Sequence, residues 1–367
     1  MADSIKTSIS DSAKAFLLSD REGEFQGENF ERAFIRYYLA LNQVLQGDLA
    51  AAKRTLRKLD ADLKDMKYDD VAYKQILIAR YLDALVSEEL KEYNDARVQY
   101  KNLENFGVDT AWLNRERYTL AARAKDRADM AKYVSFKPDT LLPSSEDPTS
   151  EKIGELVLIC ETGKAAVKES RGKLLTDEQF MIPLRISIDI AVLSDGKGMS
   201  TAGIIAMMGT AENPIPRFVE RDALPLPSIQ IGGAAIPGFR ELTNFDNMAQ
   251  KNFNDNYSSY INKNVASIAT KIVLAAVAAE AVSSAIRKNT NDNLIGALGG
   301  LAVGIGAGAG VAATVKPDLR SWHTLPTGFS ATRLFLPAGK YPLQVDGDGE
   351  AVIVYGKPAL EVEIQPH

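Results

Sequence analysis

Phe34-Ile35-Arg36-Tyr37-Tyr38-Leu39-Ala40-Leu41-Asn42-Gln43-Val44-Leu45-Gln46-Gly47-Asp48-Leu49-Ala50-Ala51-Ala52-Lys53-Arg54-Thr55-Leu56 is the stretch from which the fold of the N-terminal half follows. Its apolar positions recur at helical spacing, Gly47-Asp48 interrupts them, and the pattern resumes with the small Ala52 one turn before Leu56. That is an aromatic-rich helix, a turn and a second helix. The same order returns at Tyr81 to Leu85, Leu90 to Ala96 and Tyr100, with Ala96 in the place of Ala52. A third, weaker copy runs from Trp112 through Tyr118 and Ala124 to Ala128, closed by Tyr133. No proline occurs between Phe30 and Tyr133, so the stretch is expected to be all-α.

These motifs resemble tetratricopeptide repeats (TPR), in which a small residue lets paired helices approach and a large one fills the gap a turn later. The first two copies are offset by about ten residues more than the usual period of about 34. The resemblance implies close helix packing at Ala52 and Ala96. It also implies a groove that takes up a peptide or partner helix, with Tyr37, Tyr38, Asn42 and Tyr81 as its expected partner-binding residues. The acidic pairs Asp69/Asp70 and Glu88/Glu89 read as solvated helix faces.

Residues 137–150 are rich in Pro, Ser and Asp and read as a linker between a helical domain at 1–136 and a β-rich domain at 151–367. Beyond it the periodicity changes. Gly154 to Gly163 reads as a buried strand carrying Cys160, with Ala165 to Arg171 as its hairpin partner. Pro183 to Leu193 alternates strictly and is expected to be a strand with one polar face, and Ser228 to Ile231 a shorter one. Helix is expected from Asn244 to Arg287, capped by Asp246 and Asn247, with 244–316 inserted into the β domain. Strands return at 331–336, 341–345, 350–355 and 360–364. The fold class is thus α+β: TPR-like helix pairs, then an antiparallel β-sandwich-like domain with a long helical insertion.

No charge occurs from Asn293 through Val315, and Gly296, Gly300, Gly304 and Gly308 recur at every fourth position. As a helix this glycine zipper would be about 34 Å long, with its glycines on one face. Each interior glycine costs about 1 kcal/mol relative to alanine, so close helix packing has to compensate. Burial inside the protein and packing between subunits or in a membrane are the two readings. The neighbouring helix carries Lys271, Glu280 and Arg287 and is a poor lipid-facing span.

A net charge of −5 gives no attraction to phosphate backbones, so nucleic acid is not expected as a partner. Cys160 is the single cysteine, and His323 and His367 are the two histidines, so neither an intrachain disulfide nor a multi-histidine metal site is possible. No phosphate-binding, nucleophile-elbow or zincin motif is present. Asp318, Arg320 and His323 read as a strand-entry turn rather than a polar site. No enzyme activity, cofactor or catalytic residue is expected.

Glu28 to Arg32 with Tyr37 to Asn42, Gly154 to Val157, Asp318-Leu319-Arg320-Ser321-Trp322-His323-Thr324-Leu325-Pro326, and Leu336 to Tyr341 together resemble a family of uncharacterised bacterial exported proteins. Many of these are read as lipoproteins joining TPR-like helices to a β-rich C-terminal region. The resemblance implies a periplasmic or outer-membrane-associated scaffold that binds a protein partner. A membrane-associated or pore-lining oligomer built on the glycine zipper is the alternative. Two departures stand out: no lipid-bearing cysteine lies near Met1, and the zipper is longer than the pattern calls for. The opening residues, Met1 to Ser8, contain no apolar run of a signal peptide, which leaves a cytoplasmic location open as well.

Overall fold

Helices α1 (Asn29–Leu45), α2 (Leu49–Asp65), α3 (Leu77–Glu89), α4 (Tyr93–Asn105), α5 (Thr110–Arg123) and α6 (Arg127–Lys132) follow one another in the N-terminal half. The computed structural model describes residues 27–65, 75–141, 153–195, 201–221, 224–290, 310–346 and 361–364. Each turn after α1, α3, α4 and α5 contains one left-handed residue: Gly47 (φ 78°), Lys91 (60°), Gly107 (90°) and Lys125 (56°). At every one, this residue's N–H bonds the carbonyl three back and the next N–H the carbonyl five back, as in Gly47 N to Val44 O and Asp48 N to Gln43 O, both 2.9 Å. This Schellman geometry satisfies carbonyls that the helix end leaves orphaned. Helix starts are capped too: Asp109 accepts from Trp112 N at 2.8 Å, and Asp126 from Ala128 N and Asp129 N.

The strands are β1 (Ile153–Thr162), β2 (Val167–Glu169), β3 (Arg217–Val219), β4 (Ser228–Ile231), β5 (Ala234–Ala235), β6 (Arg240–Asn244), β7 (Gly328–Pro337), β8 (Gly339–Asp346) and β9 (Glu361–Ile364). The later helices are α7 (Glu178–Asp195), α8 (Thr201–Met207) and α9 (Phe245–Thr290). All the strand pairings are antiparallel, in orders β1-β7-β6, β5-β4-β8-β9 and β2-β3. The chain is therefore mixed helix and sheet, with N-terminal helices and C-terminal antiparallel sheets.

The chain divides into two units, and not at the expected linker. The first unit holds residues 28–166, 220–249 and 323–367; the second holds 1–27, 167–219 and 250–322. In the first, β7 is buried on both faces, and the period of 2 sorts its side chains. Phe329 faces the helices, 5.0 Å from Phe34 and 5.8 Å from Tyr37 between ring centres, while Leu334 and Leu336 join Ile229, Ile231, Leu156 and Leu343 in a core between two sheets. The helix pairs thus rest on a sheet made from the C-terminal half. The hydroxyl of Thr243 caps the start of α3, accepting from Ile78 N at 3.0 Å. Trp112 Nε1 donates to Gly238 O at 3.2 Å. Of the expected linker, Leu141 N bonds Phe335 O, which ties its start to the sheet; residues 142–150 lie outside the described residues.

In the second unit, Phe180, Leu184 and Ile188 of α7 pack with Val265 and Ile268 of α9 and with Ala312 and Val315. The expected strand at 183–193 is therefore a helix. Its residues satisfy both periods: Phe180, Met181, Leu184 and Ile188 form a helical stripe, and Asp177 caps it by accepting from Phe180 N at 3.2 Å. Two further expectations are corrected. The segment after β1 is no hairpin partner, because β1 pairs β7 and β2 pairs β3. The cap of α9 is Asn244, which accepts from Asn247 N at 3.0 Å, while Asp246 accepts from Ala166 N at 2.6 Å. The segment 244–316 is not inserted alone, since 167–219 shares its unit. Gly296, Gly300, Gly304, Gly308 and the strand expected at 350–355 lie outside the described residues.

Candidate partner-binding face

The groove expected on the helix pairs is occupied by the chain itself. Tyr37 is fully buried, edge-on to Phe34 and Phe329, and its hydroxyl has no hydrogen-bond partner. Burial, with Glu161 adding to it, raises the Tyr37 phenol well above its ordinary value. Tyr38 donates to Glu161 Oε2 at 2.9 Å, and Tyr81, also fully buried, donates to Glu116 Oε2 at 3.2 Å. Asn42 is exposed. Three of the four expected partner-binding residues thus face the protein's own interior, because the C-terminal sheet covers the face they share. Ala52 and Ala96 are fully buried.

Behind those tyrosines is a charge network that the sequence reading missed. Arg333 of β7 donates to Glu88 Oε2 at 2.7 Å, Glu116 Oε2 at 3.0 Å and Glu155 Oε2 at 3.0 Å. Its Nε makes a further 2.8 Å ion-pair contact with Glu155 Oε1, without the alignment of a hydrogen bond. Tyr100 donates to Glu88 Oε1 at 2.6 Å, and Arg123 to Glu155 Oε2 at 2.9 Å. Burial opposes the Arg333 charge, but Glu88, Glu116 and Glu155 outweigh it and raise its pKa. Burial pushes the Glu116 carboxyl up, against the pull of Arg333. Glu88, expected on a solvated face, is buried. The signal available was an arginine inside a strand otherwise made of small and apolar residues.

This network joins α3 and α5 to β1 and β7, and Arg333, Glu88 and Glu116 within it are buried. A second buried ion pair, Lys53 Nζ to Asp83 Oδ1 at 2.7 Å with Ser87 Oγ at 2.6 Å, joins α2 to α3. Among the described residues no group of three or more His, Cys, Asp or Glu is placed to hold a metal ion. Cys160 sits in β1 with its thiol raised by burial. Asp318 is chelated by Arg320, through Nε at 2.9 Å and Nη2 at 2.7 Å, and the His323 carbonyl accepts from Arg221. An open recess of about 600 Å³ lies among Arg171, Asp177, Asn213, Arg217 and Tyr257. Its Asp177 carboxylate is already engaged by Asn213, Tyr257 and Phe180 N.

The feature left unsatisfied is the outer side of α7. Ile182, Ile186 and Ile190 stand one turn apart and are 61%, 55% and 64% exposed, on the side away from the buried Leu184 and Ile188. Read as a helix, the alternation of 183–193 places apolar residues on two opposite faces, since two residues advance by about 200°. One face builds the core and the other meets solvent. On α1, Ile35 and Leu39 are both 48% exposed, but Gln43 occupies the next position of that row. The α7 ridge is thus the longer unbroken apolar stripe. No helix among the described residues is long and apolar enough to cross a membrane. Neither a protein-family model, nor a characterised protein, nor a solved structure matches this chain.

Proposed function

We propose that this chain is a non-enzymatic assembly protein of the bacterial envelope, and that it meets a protein partner through the outer face of α7 rather than through its helix pairs. The exposed row Ile182, Ile186 and Ile190 carries the reading, because three β-branched apolar side chains in line lose solvation free energy until something covers them. The envelope location rests on the resemblance described above.

In the same reading the helix pairs are TPR-like repeats whose partner face is filled from within. Ala52 and Ala96 are buried at helix contacts, and the turns at Lys91 and Lys125 stand 34 positions apart, the TPR period of about 34. The two sheets that share Leu334 and Leu336 are sandwich-like.

A photo-reactive amino acid placed at Ile186, and separately at Leu39 on the outer side of α1, tests the assignment in cells. Crosslinked adducts are expected at 186 and not at 39. Adducts confined to the helix pairs, or absent from both positions, would sink it.

A further inference from the structure

We infer that the partner of the α7 ridge is a second copy of this chain, paired antiparallel about a twofold axis at Ile186. This rests on the reading of that face as a protein contact. A row at i, i+4 and i+8 packs into the matching groove of another helix at a crossing angle of about −50°. Two copies of one row meet that condition by symmetry.

The charges beside the row decide the partner and the direction. Arg185 and Asp189 are exposed, one turn apart, on one flank of the ridge. Among the described residues Arg185 makes no ion pair, and the Asp189 side chain accepts only from Thr201 Oγ1. A twofold axis perpendicular to α7 reverses the helix direction and keeps each flank on its own side. Arg185 of one copy then comes opposite Asp189 of the other, twice per dimer. A parallel pairing would put these flanks on opposite sides and leave both charges unused. An anionic lipid surface fits less well, because the flank carries Glu178 and Asp189 against a single Arg185.

Sedimentation of the full chain across a concentration range tests this, alongside Ile186→Glu, which places two carboxylates face to face at the axis. The wild type is expected to be a dimer, and the variant's dissociation constant to rise at least about 100-fold with an unchanged far-UV circular dichroism spectrum. Arg185→Asp or Asp189→Arg alone is expected to weaken the dimer several-fold, and the two together to restore it. In a Cys160→Ser background, Ile186→Cys is expected to crosslink to itself across the axis on oxidation.

A monomeric wild type, or a dimer indifferent to Ile186→Glu, overturns the self-pairing. A monomer that still gives foreign adducts from position 186 keeps the protein-contact reading while the second copy is ruled out. A monomer whose flotation with phosphatidylethanolamine and phosphatidylglycerol vesicles depends on Ile186 overturns both.

Discussion

At Arg333 one guanidinium meets three buried carboxylates, so its removal strands charges rather than merely deleting contacts. Arg333→Met is expected to destabilise the protein by about 3–5 kcal/mol, read from urea denaturation. Adding Glu116→Gln should recover part of the loss, because it removes one of the stranded charges; a double variant no better than the single would sink this account. Glu161 is the complementary case, a carboxylate raised by burial with Tyr38 as its hydrogen-bond donor. A carboxylate raised in the folded state contributes stability that is full below its unfolded pKa and lost as pH rises through the folded value. Glu161→Gln keeps an acceptor for Tyr38, so it is expected to melt higher than wild type at pH 8. The difference should close as the pH falls through the folded-state value, where the wild-type carboxyl takes up its proton. Glu104 has the opposite sign, held down to about 2 by Arg117 and Lys101, and as a solvent-accessible group it adds little.

The N-terminal helices were legible as elements because Gly47, Ala52 and Ala96 punctuate a 3.6-residue pattern with short breaks. The same logic failed at 183–193, where a period of 2 is indistinguishable from two apolar faces of a helix until one knows whether the second face is covered. Pro183, the first residue of that expected strand, lies inside α7. The α3–α4 and α5–α6 turns hid another feature, since a lysine rather than a glycine occupies the left-handed position in each. Lys91 and Lys125 have φ of 60° and 56° and exposed side chains, so they bear backbone strain with no buried contact to offset it. Lys91→Gly and Lys125→Gly are each expected to stabilise by about 0.5–1 kcal/mol, and Gly107→Ala to destabilise by a similar amount. Thermal melts that order the variants the other way would show that these turns are not limiting.

At the level of the whole chain, the composition change at 137–150 marks a switch from helix to strand without separating two domains. What the sequence cannot display is pairing between distant segments: Glu88 and Arg333 touch across 245 positions, and Phe34 meets Phe329. Periodicity is local, whereas the division into units is set by which surfaces bury one another. A cut placed between α6 and β1 discriminates the two views. With a protease site inserted between Ser145 and Glu146, two independent domains would part after cleavage and the helical fragment would run alone on gel filtration. Here the helices depend on β7 to cover Phe34, Tyr37 and Tyr81 and to neutralise Glu88 and Glu116. The cleaved pieces are therefore expected to co-elute under native conditions and to part only in denaturant. Residues 28–141 expressed alone should be unable to give a cooperative melt, because they would expose that aromatic face and leave two buried glutamates without their cation. Folded, monodisperse helices from the isolated piece would return the boundary to 137–150.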